Sequence, residues 1–461
     1  MVPKTTIKFP IKTIVIANIA EFYSPLFSQF HEKEKISSWI NPSQAECDMA
    51  LLWAGDDKLV IFPKKIDEYF LYDLSKILKY NNVHIAYPES NSESLCLDIE
   101  KDVELFNFIV DVINNSEMPQ IIGWGATKPF YDLLQNLEKA GGNFTSPEIP
   151  SRDDYWTVPY LDSKIGFREM CAKLSLETSG GRIAPGLICA NTELATAIIK
   201  SNYFRDTGVV VKSNDGVGGY GTLIYRQERL GDLFDFGKKL ETISKLMPIF
   251  SSTPLLVERF INSRSESVIS SPSIQGVIYP SGNVEIIALA GQIVDDIGRY
   301  IGAVINPDIF PTQLQKSLNT LGYKLGTEAS RLGYRGVFNF DTILANDGYI
   351  YFVEMNARRT SVKYILDMAR QLFGETWTHK MSLISNERFS SDKLRGLSYH
   401  DVQSLLSDYL FPVAGEPQGV IITIASSLIS YARKSQLGFV VVGNNFSVVQ
   451  HIYSRVNELL S

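Results

Sequence analysis

The stretch Gly336-Val337-Phe338-Asn339-Phe340-Asp341-Thr342-Ile343-Leu344, the turn Ala345-Asn346-Asp347-Gly348, and Tyr349-Ile350-Tyr351-Phe352-Val353-Glu354-Met355-Asn356-Ala357-Arg358 decide how the rest of the chain is read. Asn-Asp-Gly between two apolar, β-prone runs signals a hairpin. Folding the chain there brings Asp341 near Glu354 and Asn356. Glu354 follows Tyr351-Phe352-Val353, where a charge without a partner is expensive. Three oxygen donors converging in apolar surroundings suit magnesium, which keeps waters and bridges to substrate phosphates. Arg358 projects beyond them, placed to neutralise a developing phosphoryl or acyl-phosphate charge. Taken alone, the stretch also fits an ordinary hairpin with solvated carboxylates.

A second signal lies upstream, in Val209-Val210-Val211-Lys212-Ser213-Asn214-Asp215-Gly216-Val217-Gly218-Gly219-Tyr220-Gly221. Four glycines in six positions remove side chains, so that backbone N–H groups can approach phosphate oxygens. Lys212 adds a positive charge at the end of the preceding strand. A Walker A loop would end in Gly-Lys-Ser/Thr, and this one does not. Gly216, Gly218 and Gly221 fit G-x-G-x-x-G, but that fingerprint must open a helix, and here it leads into the β-like run Thr222–Arg226. Asp235-Phe236-Gly237 spells a kinase triplet, yet it follows the loop too soon and no H-R-D catalytic loop exists. The expectation is a strand–glycine loop–strand hairpin closing over phosphates.

Residues 1–150 alternate strand-like runs (Thr13–Ala17, Ala50–Trp53, Leu59–Phe62, His84–Tyr87, Gln120–Trp124) with helical stretches (Asp67–Tyr80, Val103–Ile113), which predicts a parallel α/β unit. Its last strand runs through Gly123-Trp124-Gly125-Ala126-Thr127 into a helix, a turn read as allowing close packing. The chain therefore divides into 1–150, 151–375 (a glycine-loop part over 164–255 and a metal-ligand part over 256–375) and a C-terminal part, 376–461. With 461 residues and a net charge of −7, the sequence predicts several packed units and carries no basic nucleic-acid footprint. The four cysteines are scattered without a C-x-x-C pair, which reads as free thiols. No run approaches a membrane span, and no signal peptide is read at the N-terminus, so the cytoplasm is the expected location.

In this order, the two hairpins resemble the ATP-grasp superfamily over roughly residues 160–360. The resemblance implies an α/β fold of the α+β ATP-grasp kind: an N-terminal parallel α/β domain, a sandwich of two antiparallel sheets, and a small C-terminal segment. It implies ATP with two magnesium ions, manganese being an alternative, held by Asp341, Glu354 and Asn356. Lys164, Lys212 and the loop around Gly216, Gly218, Gly219, Tyr220 and Gly221 are implied to take the phosphates. Glu258 and Phe260 are implied to face the adenine, and Glu266 the ribose. Arg358 and Lys212 are implied to be catalytic, and Arg299 is a candidate for a substrate carboxylate.

The flanking units most resemble peptide ligases of the pheganomycin type, which have a pre-ATP-grasp N-terminal domain. That implies a carboxylate activated as acyl phosphate and joined to an amine, on small-molecule, peptide or carrier-protein-bound substrates. Loading of an amino acid onto a carrier protein, or phosphotransfer to a hydroxyl, are the alternatives. Neither nucleic acid nor membrane is expected as a partner, and a homodimer stays open.

Overall fold

The computed structural model describes residues 7–27, 40–201, 207–216, 219–226, 233–265, 267–295, 298–429 and 435–461. Strands β1 (Thr13–Ile16), β2 (Lys58–Ile61), β3 (Val83–Ala86) and β4 (Gln120–Gly123) form an all-parallel sheet in the order β3-β2-β1-β4. Every residue of β1 and β2 is buried, as expected of parallel strands covered by helices on both faces. The turn after β4 packs closely. A Cβ on Gly125 would lie 2.6 Å from the Phe22 ring and 3.1 Å from Cβ of Arg358.

One expected strand is absent. Ala50–Trp53 belongs to a 3-10 helix, Glu46–Leu52, with Trp53 as its C-terminal cap. A short apolar run cannot by itself distinguish a strand from a buried helical turn. Here the deciding partner is Lys58, whose Nζ donates to the carbonyls of Leu51 and Trp53, each at 2.5 Å. At the other end, Asp48 accepts from the backbone N–H groups of Ala425 and Ser426. The turn thus joins the first sheet to the C-terminal part.

The remaining strands are β5 (Gly181–Ile183), β6 (Gly186–Cys189), β7 (Gly208–Ser213), β8 (Thr222–Arg226), β9 (Leu255–Arg259), β10 (Pro272–Ile278), β11 (Val284–Val294), β12 (Tyr300–Ile305), β13 (Gly336–Leu344), β14 (Ile350–Asn356), β15 (Ser382–Ser390), β16 (Gly419–Ile424) and β17 (Gln436–Gly443). They form two sheets, β6-β9-β7-β8 and the nine-stranded β16-β17-β15-β12-β11-β10-β13-β14-β5. The smaller sheet is antiparallel throughout. The larger is antiparallel except at its edge, where β5 runs parallel to β14, and β15–β17 extend it.

Helix Thr312–Leu332 buries Leu318, Leu321 and Leu325 against β10 and β11. Gly322 permits the approach, since a Cβ there would lie 2.7 Å from Ile274. All four cysteines are buried free thiols. Among the described residues no helix is long and apolar enough to cross a membrane.

Candidate functional site

The carboxylate hairpin folds as its turn dictates. In the β13–β14 register Asp341 faces Glu354 and Asn339 faces Asn356. A bulge beside Asp341, with Val353 as the extra residue on β14, lets Glu354 and Asn356 share the face carrying Asn339 and Asp341. Asp341 Oδ1 accepts from Ser273 Oγ (2.8 Å) and Asn339 Nδ2 (2.6 Å), and its Oδ2 accepts from Asn356 Nδ2 (3.3 Å). Burial, and then the Glu354 charge, raise the Asp341 pKa. Burial works the same way on Glu354, but Lys164 and Lys212 outweigh it and hold that carboxyl below its ordinary range.

The donor set fits magnesium. Asp341 and Glu354 present carboxyl oxygens to one space, where the Asn356 amide turns its Nδ2 to Asp341 and its Oδ1 to Arg358, and the Asn339 Oδ1 beside them is buried with no hydrogen-bond partner among the described residues. No cluster of three His, Cys, Asp or Glu occurs among those residues. Few protein ligands, with waters and phosphate oxygens completing the shell, is the usual magnesium arrangement.

Lys164 joins this hairpin to the glycine loop. Ser163 caps helix Lys164–Ala172 by accepting from the Gly166 N–H. That places Lys164 in the first turn, where its N–H donates to the Asn214 carbonyl (3.0 Å). Its Nζ lies 2.5 Å from Glu354 Oε2 and donates to the Gly216 carbonyl at 3.1 Å. Burial opposes its charge, but the Glu354 charge prevails and raises its pKa.

The loop itself is a strand-to-strand connection, since Gly208–Lys212 pair antiparallel with Thr222–Arg226. The dinucleotide reading, which needs a helix there, is excluded. Asp235-Phe236-Gly237 lies inside helix Leu233–Leu246. Gly219 and Gly221 have φ of +86° and +83°, and a Cβ on Gly221 would lie 2.1 Å from Ser213 Oγ. Tyr220 continues this turn. Gly218 and Glu266 lie outside the described residues.

Lys212 pairs with Glu258 (2.7 Å), which also binds Arg168 (2.8 Å). Arg168 in turn donates to the carbonyls of Ala184 and Gly186. Glu258 is thus a buried carboxylate between two cations on the floor of the smaller sheet. Phe260 donates its N–H to the Gly208 carbonyl (3.0 Å), and the Arg226 guanidinium lies 5.5 Å from its ring.

Arg358 is buried. It donates to Asn356 Oδ1 (2.6 Å) and to the Arg359 carbonyl (2.9 Å), with its guanidinium 5.3 Å from the Trp124 ring and 5.5 Å from that of Tyr23. Among the described residues its Nε has no hydrogen-bond partner, the Asp162 carboxylate being 3.9 Å away. Arg299, more exposed, is held by Asp295 (2.7 Å) and leans on the glycine loop, its Cγ 2.9 Å from where a Gly219 Cβ would stand.

Several groups escaped the sequence reading. Asn339 alone had a local signal, lying two residues before Asp341 on the same strand face. Ser273, Asp162 and Arg168 come from distant segments with no marking pattern.

No family model matches the chain. The L-propargylglycine–L-glutamate ligase of Streptantibioticus cattleyicolor is 23% identical over 233 residues, 49% of this chain and 46% of that protein. The [butirosin acyl-carrier protein]–L-glutamate ligase of Niallia circulans is 34% identical over 86 residues, 18% of this chain and 20% of that one. The chain thus spans less than half the length of these curated relatives.

Among solved structures, an ADP complex of N5-carboxyaminoimidazole ribonucleotide synthetase superposes with a TM-score of 0.53 at 13% identity, over 98% of both chains. Biotin carboxylase from Campylobacter jejuni, bound to an ATP analogue, gives 0.54 at 15% identity over 94% of this chain and 88% of that one. At such identities the likeness is one of fold. The chain shares the α/β fold of these two enzymes.

Proposed function

We propose that the chain is an ATP-dependent ligase that activates a carboxylate as an acyl phosphate and joins it to an amine, releasing ADP and phosphate. The observation that carries this reading is the bridge from the glycine loop through Lys164 to the facing carboxyls Asp341 and Glu354. It sets cations and acidic oxygens side by side, as a transferring phosphoryl group with its metal requires. The proposed units are 1–150, 151–375 and 376–461, acting in the cytoplasm.

ATP is the phosphoryl donor. Its phosphates lie against Lys164, Lys212 and the N–H groups of the loop from Gly216 to Gly221. Glu258 and Phe260 face the adenine side, and Glu266 the ribose. Asp341, Glu354 and Asn356 would hold two magnesium ions, with manganese as a substitute. When bound, these would neutralise charge on the phosphates. The substrate carboxylate displaces ADP from the γ-phosphate, and the amine then expels phosphate from the acyl carbon. Arg358 steadies the charge on the transferring group, and Arg299 contributes at the loop mouth. The protein's task is positioning and charge neutralisation.

Both relatives are named for L-glutamate, which favours an amino acid among the substrates. A carrier-bound acyl group is the second reading, favoured by the 34% identity to a carrier-protein ligase. The test supplies ATP and L-amino acids, singly and in pairs, and measures phosphate release with product mass. Hydroxylamine should trap a hydroxamate when the carboxylate substrate is present alone. A stable phosphoester, with no amide or thioester under any amine supply, would replace the ligase by a phosphotransferase.

A further inference from the structure

Beyond the ATP half lies a cluster that the roles above do not use. Along β15, Asn386 pairs with Phe439 and Phe389 with Leu437, so Glu387 and Arg388 together stand opposite the single residue Gly438. In regular strands neighbouring side chains point to opposite faces. A bulge re-aims them, and bulges concentrate beside active sites.

Glu387 is 5% exposed. Its carboxylate accepts from Tyr300 (2.8 Å) and from Ser361 at the start of helix Ser361–Phe373. Arg388 is 41% exposed and pairs with Glu46 at 2.8 Å. The cluster adjoins the site already described. Tyr23, whose ring lies 5.5 Å from Arg358, interacts electrostatically with both Glu46 and Arg388, and Tyr300 with Asp341. A buried acid beside a more open guanidinium suits a zwitterion entering amine first, with its carboxylate left at the mouth.

We propose that Glu387 and Arg388 form the amine-substrate site: Glu387, with Tyr300, receives the ammonium of a free amino acid and takes one proton from it, while Arg388, steadied by Glu46, holds that amino acid's carboxylate. This rests on the ligase reading. The freed nitrogen lone pair forms the C–N bond at the acyl carbon. The acyl C–O bond to phosphate then breaks, and phosphate leaves with that electron pair and the second amine proton.

Burial, first, raises Glu387 to about 7, although Tyr300, Ser361 and Arg388 pull it down, and Glu46 raises it further. The titratable and charged groups facing it are Tyr300, Tyr364, Arg388 and Glu46. A base near neutrality is well matched to this task.

The experiment compares the wild type with Glu387→Gln, Arg388→Met and Tyr300→Phe, the last keeping the ring should Glu387→Gln fail to fold. The probes are L-amino acids, their methyl esters and hydroxylamine, which is largely uncharged at neutral pH and needs no base. Glu387→Gln should lose amide formation by about 100-fold and lose the acidic limb of its pH profile, while hydroxamate still forms. Arg388→Met should raise KM for the amino acid by about 30-fold with kcat little changed, and methyl esters should bind the wild type equally poorly. Amide formation by Glu387→Gln at the wild-type rate with an unchanged acidic limb, or methyl esters as good as free acids, would overturn the assignment. A wild type that forms no hydroxamate with any carboxylate overturns the ligase reading instead.

Discussion

The two hairpins that define the site are built in opposite ways. The carboxylate hairpin is interior: β13 and β14 lie between β10 and β5, and five of the six residues from Val337 to Thr342 are at or below 4% exposure. The glycine hairpin ends in β8, an edge strand paired only with β7, and none of its five residues is buried. One hairpin fixes oxygens in a rigid polar layer that the fold itself sets. The other offers backbone that can adjust to what it covers. A site that must both hold a metal in fixed geometry and admit a nucleotide needs one of each.

The contrast breaks most visibly at Glu354. Glu354→Gln should lower ADP formation about 1,000-fold, with a melting temperature within about 3 °C of wild type. Substantial turnover in that variant, assayed by ADP release beside a thermal melt, would place the metal chemistry elsewhere. On the other hairpin, Lys212→Ala should reduce kcat/KM for ATP about 100-fold. Its fold should survive, because Arg168 still neutralises Glu258; wild-type kinetics would end its phosphate role.

Asn339→Ala should weaken magnesium about tenfold in a titration of activity against the metal, because it holds Asp341 in place without any charge of its own. An unchanged half-saturation would make Asn339 a packing residue. The smallest effects sharpen the comparison best. Gly221 and Gly348 share a φ of +83°, but only the first is crowded. Gly348→Ala should cost about 1 kcal/mol of stability and no activity, whereas Gly221→Ala should cost about 2 kcal/mol and slow turnover severalfold. Equal effects in denaturant melts would mean that crowding by Ser213 does not matter.

Local pattern was enough where the chain determines its own partners. The Asn346-Asp347-Gly348 turn fixed how Thr342–Leu344 meet Ile350–Phe352, and the β-prone run after Gly221 separated hairpin from helix. The bulge that turns Glu354 inward left no local trace. Nor did the pairing of Lys164 with Glu354 across 190 positions, which depends on where helix Lys164–Ala172 docks. Ala50–Trp53 was misread because an apolar run has no period, and Lys58 decided its shape from outside. Glu387 and Arg388 were passed over because a bulge cannot be seen from one strand.

Arg359, next to the site arginine, makes two bonds of 2.6 Å to Glu148, a third of 3.0 Å to Asp367, and donates its N–H to the Trp124 carbonyl. Modular redesign would naturally cut such a protein near residue 150 and graft a foreign acceptor unit in front. That seam severs Glu148 from a guanidinium only 3% exposed, leaving Asp367 to hold the buried charge. A chimera that keeps the residues at 124 and 148 with the catalytic half preserves the anchor beside Arg358. One that swaps them along with the first sheet would loosen the reacting end of the site before any new substrate had arrived.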